Sequence, residues 1–466
     1  MREKILIILL FGLFQMNGNS QDALVKSKTL GLEFSVKGGF YNDYVILELR
    51  SPGARIYYTT NGSKPTRRSK VYDKPIVVKS TTAIRAIARK GRRKSNIKGH
   101  TFFIGEEPST FPVVSMLVPP QILFDEENGL FIEGPDADSS YAKFGANFWS
   151  KKEVKINCEI FETDGTCVYR SNSGFRLFGG MSRLFPQKSI VLVARDKYGK
   201  KRIKHKIFGK GTPKKHKYLV LRNSGSDWGK AHLRDKFMTS LVDDWDIEVQ
   251  DSRPSHVYIN GKYWGIYNIR EKVNRFYLQE HTDVDKDSLD LMEHRMNRKR
   301  GSAIHYQKML KFMKENDLSD PTSYAYLNSL MEVENFIDYK VAQIFFDNQD
   351  AGGNIKYWRP QTPTGKWRWI LYDTDWGFGL HDERAYRNNS LAFHTKENGP
   401  AWPNPEWSTF ILRKLLENKE FEEKFINRFC DALNTSFENN NVEAKLDEHI
   451  NMLSPEIDKH IKRWKL

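Results

Sequence analysis

The chain has 466 residues, which at roughly 150 per domain allows about three units, or one large enzyme domain with a small module. With 39% hydrophobic and 28% charged residues, 11 Trp, 20 Tyr and 29 Phe, it can bury a core, and a disordered, collagen-like or coiled-coil chain is excluded. Seventy-four Lys and Arg against 58 Asp and Glu leave a charge of +16, which suits nucleic acid, an anionic surface, a phosphorylated ligand such as a nucleotide, or simply a solvated basic surface.

At the start, Arg2 and Lys4 precede an apolar run from Ile5 to Phe14, and Gly18-Asn19-Ser20 offers small residues before Gln21. This is the pattern of a secretory signal peptide over residues 1–20. The apolar run is about half the ~20 residues a membrane-spanning helix needs, and no later stretch comes closer, so no membrane span is expected. Removing Arg2, Glu3 and Lys4 lowers the net charge from +16 to +15. Of the three cysteines, Cys158 and Cys167 flank an Asp164-Gly165 turn whose register sets Cys158 opposite Ser171 and Cys167 opposite Glu162, so free thiols and no cysteine metal site are expected.

Residues 33–104 alternate short strands with turns: Val45–Leu49, Ala54–Thr60, Pro75–Val78, Ala83–Ala88 and Thr101–Ile104. Their spacing predicts a small immunoglobulin-like β-sandwich. On its strands Tyr57 and Tyr58 point to opposite faces, Asn61-Gly62-Ser63 reads as a turn, and Arg89 to Lys94 forms a basic hairpin tip. A linker at Gly105 to Pro108 follows. From residue 111 to 286 strands predominate, among them Val113–Leu117, Lys155–Phe161, Thr166–Tyr169, Phe175–Phe178, Ser189–Ala194, Tyr218–Arg222, His256–Asn260 and Tyr263–Ile269, with a helix over His232–Val242. From 287 to 466 helices are expected over Ala303–Glu315, Asn328–Phe346, Trp407–Asn418, Phe421–Asn434 and Val442–Trp464, interrupted by a hairpin of Ile355–Trp358 and Trp367–Tyr372. A strand-rich half followed by a helix-rich half is an α+β pattern with a cleft between two lobes.

The densest polar cluster is Asp347-Asn348-Gln349-Asp350-Ala351-Gly352-Gly353-Asn354, followed after the hairpin by Asp373-Thr374-Asp375-Trp376-Gly377. Phosphoryl transfer needs hard oxygen ligands for magnesium and a carboxylate that orients or accepts the proton of the attacking hydroxyl. Both segments hold such groups, in the order of a kinase catalytic loop and metal-binding loop. Acids and glycines also gather in ordinary surface turns. Asp283, Asp285 and Asp287 imitate the start of a calcium loop but lack its later Gly and Glu, and the histidines show no zinc spacing.

Two resemblances add to these readings. The words GFYNDYVILEL, IYYTTNGSKPT, KVYDKPIVV and TTAIRAIARKGRRKSN resemble the module at the C-terminal end of chitobiases and hexosaminidases, an accessory unit of extracytoplasmic proteins. The ordered words FPVVSM, FRLFGGMSRLFPQKSIVLVARDKYG, YLVLRNSGSDW, YINGKYWGIYNIREKVNRFYL, ENFIDYKVAQIFFDNQD, NIKYWRP and WRWILYDTDWGFG are similar to the spore-coat protein H (CotH) kinase family. That resemblance implies a two-lobed protein-kinase-like domain over 111–466. It also implies ATP with Mg2+ or Mn2+ as cofactors, and transfer of the γ-phosphate to serines of coat proteins.

Carried over, it gives Asp350 the role of catalytic-loop aspartate, and makes Asn354 and Asp373 magnesium ligands with Asp375 as a further carboxylate. Lys188 is the candidate phosphate-contacting lysine, Glu271 its orienting carboxylate, and Arg222 and Arg234 further phosphate contacts. The alternatives are a surface lysine at 188, a local ion pair of Glu271 with Lys272, and pairing of the two arginines with Asp227 and Asp235. Relatives commonly carry Asp-Trp-Pro-Gly-Asn-Asn where this chain has Asp350-Ala-Gly-Gly-Asn354, so the loop is one residue shorter and lacks the tryptophan.

The expected function is therefore a secreted or extracytoplasmic kinase-like phosphotransferase acting on Ser or Thr of an envelope or extracellular protein. Its sandwich is a candidate for contact with cell wall or polysaccharide, and neither nucleic acid nor a membrane span is expected. The alternatives are an inactive kinase-like scaffold that binds glycan or protein at the cell surface, and a glycoside hydrolase using Asp373 and Asp375.

Overall fold

The computed structural model describes residues 29–107 and 109–466; the expected signal peptide lies outside the described residues. No helix among the described residues is long and apolar enough to cross a membrane.

The N-terminal module is built on one six-stranded sheet ordered Gly39–Tyr41, Lys98–Ile104, Thr82–Lys90, Arg55–Thr59 and Lys70–Val71, with Arg93–Lys94 added beside Thr82–Lys90. Two short pairs complete it, Glu33–Phe34 with Leu49–Arg50 and Val45–Leu47 with Ile76–Val78. Leu47, Leu49, Val78, Ile56, Ile84 and Phe102 pack together from the pairs and the sheet, so the alternation read in the sequence is the core pattern. Of the basic run, Lys90 and Arg92 to Lys94 form an exposed tip. Arg85 is buried and donates to Gly62 O at 2.8 Å.

The strand-rich part differs from expectation. Where a strand-rich lobe was expected stands a closed barrel of Val113–Leu117, Val154–Phe161, Cys167–Leu177, Ile190–Val193, Tyr218–Arg222, Lys262–Arg270 and Ser252–Ile259. Closure comes from the parallel pairing of Val113–Met116 with His256–Ile259. Alternate residues Ile190 and Leu192, Leu219 and Leu221, Val257 and Ile259, Tyr267 and Ile269 fill one hydrophobic core, while Val191, Val193 and Val220 pack in a separate cluster. The stretch expected as two strands, 166–169 and 175–178, is one strand of 11 residues. Cys158 does face Ser171, Cys167 faces Phe161, and all three cysteines are free.

The module docks on the barrel through a buried charge cluster. Glu159 accepts hydrogen bonds from Thr101 N at 2.9 Å, His100 Nδ1 at 2.8 Å and Arg170 Nε at 2.6 Å, and Arg170 also donates to Gly38 O.

After the barrel a five-stranded sheet runs Glu248–Val249, Arg368–Leu371, Lys356–Pro360, Leu289–Glu293 and Asn297–Arg300. The last two strands correct the expectation of helices from 287 onward: Leu289–Glu293 pairs with the 356–360 strand over its whole length. The helix expected over 328–346 starts only at Val333 and runs to Phe345, and a separate helix, Pro321–Asn328, precedes it. Between them Leu330 O accepts from Trp367 N and Glu332 N donates to Trp367 O, so the backbone there belongs to a sheet-like contact. Helices Ile304–Glu315, Glu406–Leu415 and Lys419–Leu433 pack around Phe336, Tyr339, Trp367 and Trp369. The 26-residue helix Asn439–Trp464 returns to the barrel, where His460 Nδ1 accepts from Ile266 N at 2.9 Å.

Candidate functional site

Three backbone segments bring the polar residues together. The helix Val333–Phe345 ends in a buried turn that carries Asp350, the strand Arg368–Leu371 runs into Asp373 and Asp375, and the barrel strand Tyr218–Arg222 ends on Arg222. Asp347, Asp373 and Phe378 all hold positive φ, at 48°, 58° and 43°. For a bulky residue such as Phe378 this is strained backbone, of the kind that gathers at functional sites.

Asn354 Nδ2 donates to Asp350 Oδ2 at 2.8 Å and to Asp373 O at 3.3 Å. The shortened loop therefore still sets Asn354 between the two acids. Its glycines are needed for packing: a side chain at Gly353 would meet Trp402 Nε1 at 2.9 Å, and one at Gly352 would meet Pro405 at 2.9 Å. A tryptophan from the later loop thus stands against the segment where relatives carry one in sequence, and its ring lies 5.2 Å from that of Trp376.

Arg222 Nη2 donates to Asp373 Oδ1 and, at 2.6 Å, to Asp375 Oδ2, which also accepts from Ser226 N at 2.8 Å. Beneath them Asp235 pairs with Arg270 and accepts from Thr374 N at 2.6 Å and Thr374 Oγ1 at 2.8 Å. The arginine and aspartate on either side hold the Asp373–Asp375 segment rigidly. Burial pushes Asp350 up to about 8, and the neighbouring Asp373 and Asp375 carboxylates add to this. Burial also raises Asp375, against the pull of Arg222. Asp350 Oδ1 is buried and accepts no hydrogen bond. Asp373 and Asp375 share one guanidinium and Asp350 keeps a buried oxygen unpartnered nearby, a set of hard oxygen groups that fits a divalent cation held by Asn354 and Asp373.

Both Asp373 and Asp375 meet the same guanidinium nitrogen, and the side chain of Asp375 is only 3% exposed against 31% for Asp373. Such a pair cannot flank a sugar ring, so the glycosidase alternative has no geometry here.

The other expected residues lie differently. Lys188 is buried rather than superficial: its Nζ donates to Arg183 O at 2.6 Å and lies 4.4 Å from the Phe148 ring centre. Glu271 holds His281 Nε2 at 2.7 Å and accepts from Asp251 N, so the expected Lys188–Glu271 pair is not formed. Arg234 pairs with Asp227 at 3.3 Å, as its structural alternative had it, and donates to Phe378 O at 2.6 Å, fixing the strained turn. Arg222 is not paired with Asp227 or Asp235, and it alone of the four cofactor candidates touches the acids.

Of the cations that surround Asp373, sequence reasoning named only Arg222. A cavity of about 410 Å3 is lined by Asp373 together with Arg222, Arg270, Lys272, Lys299 and Lys356, and by the apolar faces of Phe178, Leu291 and Tyr372. Lys356 and Lys299 share one counter-charge, Glu293. Lys272 has no ion pair or hydrogen bond among the described residues. Its Nζ lies 5.5 Å from the Tyr218 ring, and burial lowers it to about 8. The signal was present in the IREK word, where Lys272 directly follows Glu271 and so points to the other side of the extended chain.

Comparison with known proteins agrees with this organisation. Among curated proteins none matches the chain. The family model described as chitobiase/β-hexosaminidase C-terminal domain matches residues 36–98, within the N-terminal module. The model described as CotH kinase protein matches residues 175–466, which takes in most of the barrel, the cation-lined cavity and every acid that meets Arg222. Since that match covers more than half of the 466 residues, the chain belongs to the CotH kinase protein family and carries a chitobiase-type module ahead of its family domain.

Proposed function

We propose that the protein is a secreted, kinase-like phosphotransferase that moves the γ-phosphate of ATP to a Ser or Thr hydroxyl of an envelope or extracellular protein. One observation carries this: Asp350, Asn354 and Asp373 converge beside a 410 Å3 cavity whose lining holds five cations against two acids. That size and charge suit a nucleoside triphosphate, with apolar faces for a base and cations for phosphates.

In this function Asp350 orients the acceptor hydroxyl and takes its proton; a carboxyl poised near neutrality is suited to that exchange. Asn354 and Asp373 hold a divalent cation, with Asp375 behind them as the partner of Arg222. Lys272 and Arg222 face the phosphates, while Lys188, Glu271 and Arg234 act from further back on the framework. A bound Mg2+ or Mn2+ with ATP would supply the phosphoryl group and neutralise its charge. The expected signal peptide and the chitobiase-type module support an extracytoplasmic site of action.

The test is calorimetric titration of the mature chain with ATP and Mg2+ or Mn2+, followed by incubation with labelled ATP and a Ser-rich acceptor. Binding and labelling that Asp350→Ala abolishes are expected. A wild type that binds no nucleotide at millimolar concentration rejects the proposal.

A second function is favoured by one contact. Arg222 already engages both Asp373 and Asp375, which suits a catalytically silent scaffold binding glycan or protein through its module. Retention of the chain on chitin or peptidoglycan without nucleotide binding is its expected signature.

A further inference from the structure

A second cluster of ligand-type side chains lies at the open end of the barrel hairpin and shares no residue with the acid set around Asp350. Asp251 stands immediately before the strand Ser252–Ile259, and Glu271 immediately after its antiparallel partner Lys262–Arg270. His281 closes the helix Arg275–His281. One ligand atom from each of Asp251, Glu271 and His281 lies within 4.8 Å of the others.

Each group is held in place by its surroundings. The backbones of Asp251 and Glu271 are joined by the bond from Glu271 N to Asp251 O, and Gln250 Nε2 donates to Glu271 O at 2.6 Å. The helix is capped by Asn274 and tied down by Tyr277, whose hydroxyl donates to Val249 O at 2.8 Å. Tyr277 also packs on the imidazole of His281 at 4.4 Å between ring centres, which turns Nε2 toward Glu271.

Two further observations point to a ligand. The carboxylate of Asp251 has no hydrogen-bond donor and no ion-pair partner among the described residues, although Asp251 N is bonded to Glu271. His216, 5% exposed, leaves Nε2 buried and unpartnered. It shares with Glu271 a cavity of about 20 Å3, room for one water or one ion. On the other side Asp251 and His281 line a cavity of about 670 Å3, which gives access from solvent.

We propose that Asp251, Glu271 and His281 form a three-ligand binding site for one first-row divalent cation, of the zinc or manganese type, with the buried imidazole of His216 beside it but outside the ligand set. One imidazole with two carboxylates is the donor set such ions take, whereas magnesium and calcium prefer oxygen alone. The cation would displace the proton shared by His281 and Glu271 and tie the helix 275–281 to the barrel. Lys272, the next residue after Glu271, faces the cation-lined cavity, so occupancy also fixes the wall of that cavity.

The test uses the untagged mature chain, stripped with chelator and titrated with Co2+. One equivalent with visible d–d absorption, displaced by Zn2+ but not by Mg2+ or Ca2+, is expected. His281→Ala and Asp251→Asn should each lower the affinity at least tenfold, while Asp373→Asn retains it. Should either variant fail to fold, X-ray absorption at the zinc edge of the loaded wild type decides: one imidazole with oxygen neighbours supports the site, and oxygen neighbours alone overturn it. Absence of Co2+ binding by the wild type, or unchanged binding in His281→Ala, overturns it equally.

Discussion

Asn354 donates one hydrogen bond to the carboxylate of Asp350 and another to the backbone carbonyl of Asp373, so a single amide bridges the two acids on which the proposed chemistry depends. Replacing it tests whether the short loop is functional. Asn354→Ala removes a donor from Asp350, at a cost of about 1 kcal/mol in stability, and should weaken manganese-dependent nucleotide binding at least tenfold. Asn354→Asp adds a fourth carboxylate. It should lower the melting temperature without metal and recover it on adding Mn2+, as measured by thermal unfolding at fixed protein concentration.

Part of this bridge was legible in the sequence. Asp350, Asn354 and Asp373 stood out because acids and glycines were dense there, and their order along the chain survives folding. The partner of the acids did not. Arg222 sits some 150 positions away, and nothing local distinguishes it from Arg234, which pairs with Asp227 instead. Lys188 misled because a lysine after an aromatic-rich word reads the same whether its ammonium meets a carboxylate or, as here, the carbonyl of Arg183. The barrel strands were visible as alternation, but closure rests on the parallel register of Val113 with His256, a pairing that no local pattern encodes. The strand Leu289–Glu293 was missed for a related reason: it pairs with Lys356–Pro360, far along the chain, within a stretch otherwise helical.

The raised carboxyl of Asp350 gives the metal-free protein a distinct pH dependence. Its folded value of about 8 lies above the ordinary carboxylate range, so the folded state holds a proton that the unfolded chain releases. Its contribution is complete below about pH 4 and is lost as pH rises toward 8. Asp375 is raised as well and acts with the same sign. Asp350→Asn should therefore stabilise the metal-free protein at pH 8 by roughly 1–3 kcal/mol, well under the full ~1.4 kcal/mol per pH unit. The same variant should change little at pH 5. Denaturant unfolding at both pH values in chelator measures this, and equal effects at the two pH values would rule out the buried carboxyl as the cause.

Lys272 is the mirror case. Burial lowers its ammonium to about 8, so the folded state gives up a proton that the unfolded lysine keeps to about pH 10.4. Stability should rise with pH between those values, and an apolar replacement should relieve the cost at neutral pH. Lys272→Met is expected to stabilise the protein by about 1 kcal/mol at pH 7 while lowering ATP affinity at least tenfold. A variant that keeps wild-type nucleotide affinity removes Lys272 from the phosphate site. One that also loses stability shows that its aliphatic stem carries the packing.

Glu159 connects the chitobiase-type module to the barrel, since His100 and Thr101 come from the former and Arg170 from the latter. Hydrogen bonds from these partners hold its carboxyl below the usual range in spite of nearly complete burial. The stability this supplies is present above the unfolded value of about 4.3 and is lost as pH falls through the lower folded value. Glu159→Gln keeps the shape but leaves Arg170 without its counter-charge, and should cost about 3 kcal/mol at pH 7. Because the module meets the barrel through this cluster, the loss should appear first as undocking. The linker after Gly105, which carries Glu106 and Glu107, should be cut by a Glu-specific protease many times faster in the variant at neutral pH, with the two proteins converging as the wild type is acidified below pH 4. An unchanged cleavage rate with a lowered melting temperature would place the role of Glu159 inside the barrel rather than at the interface.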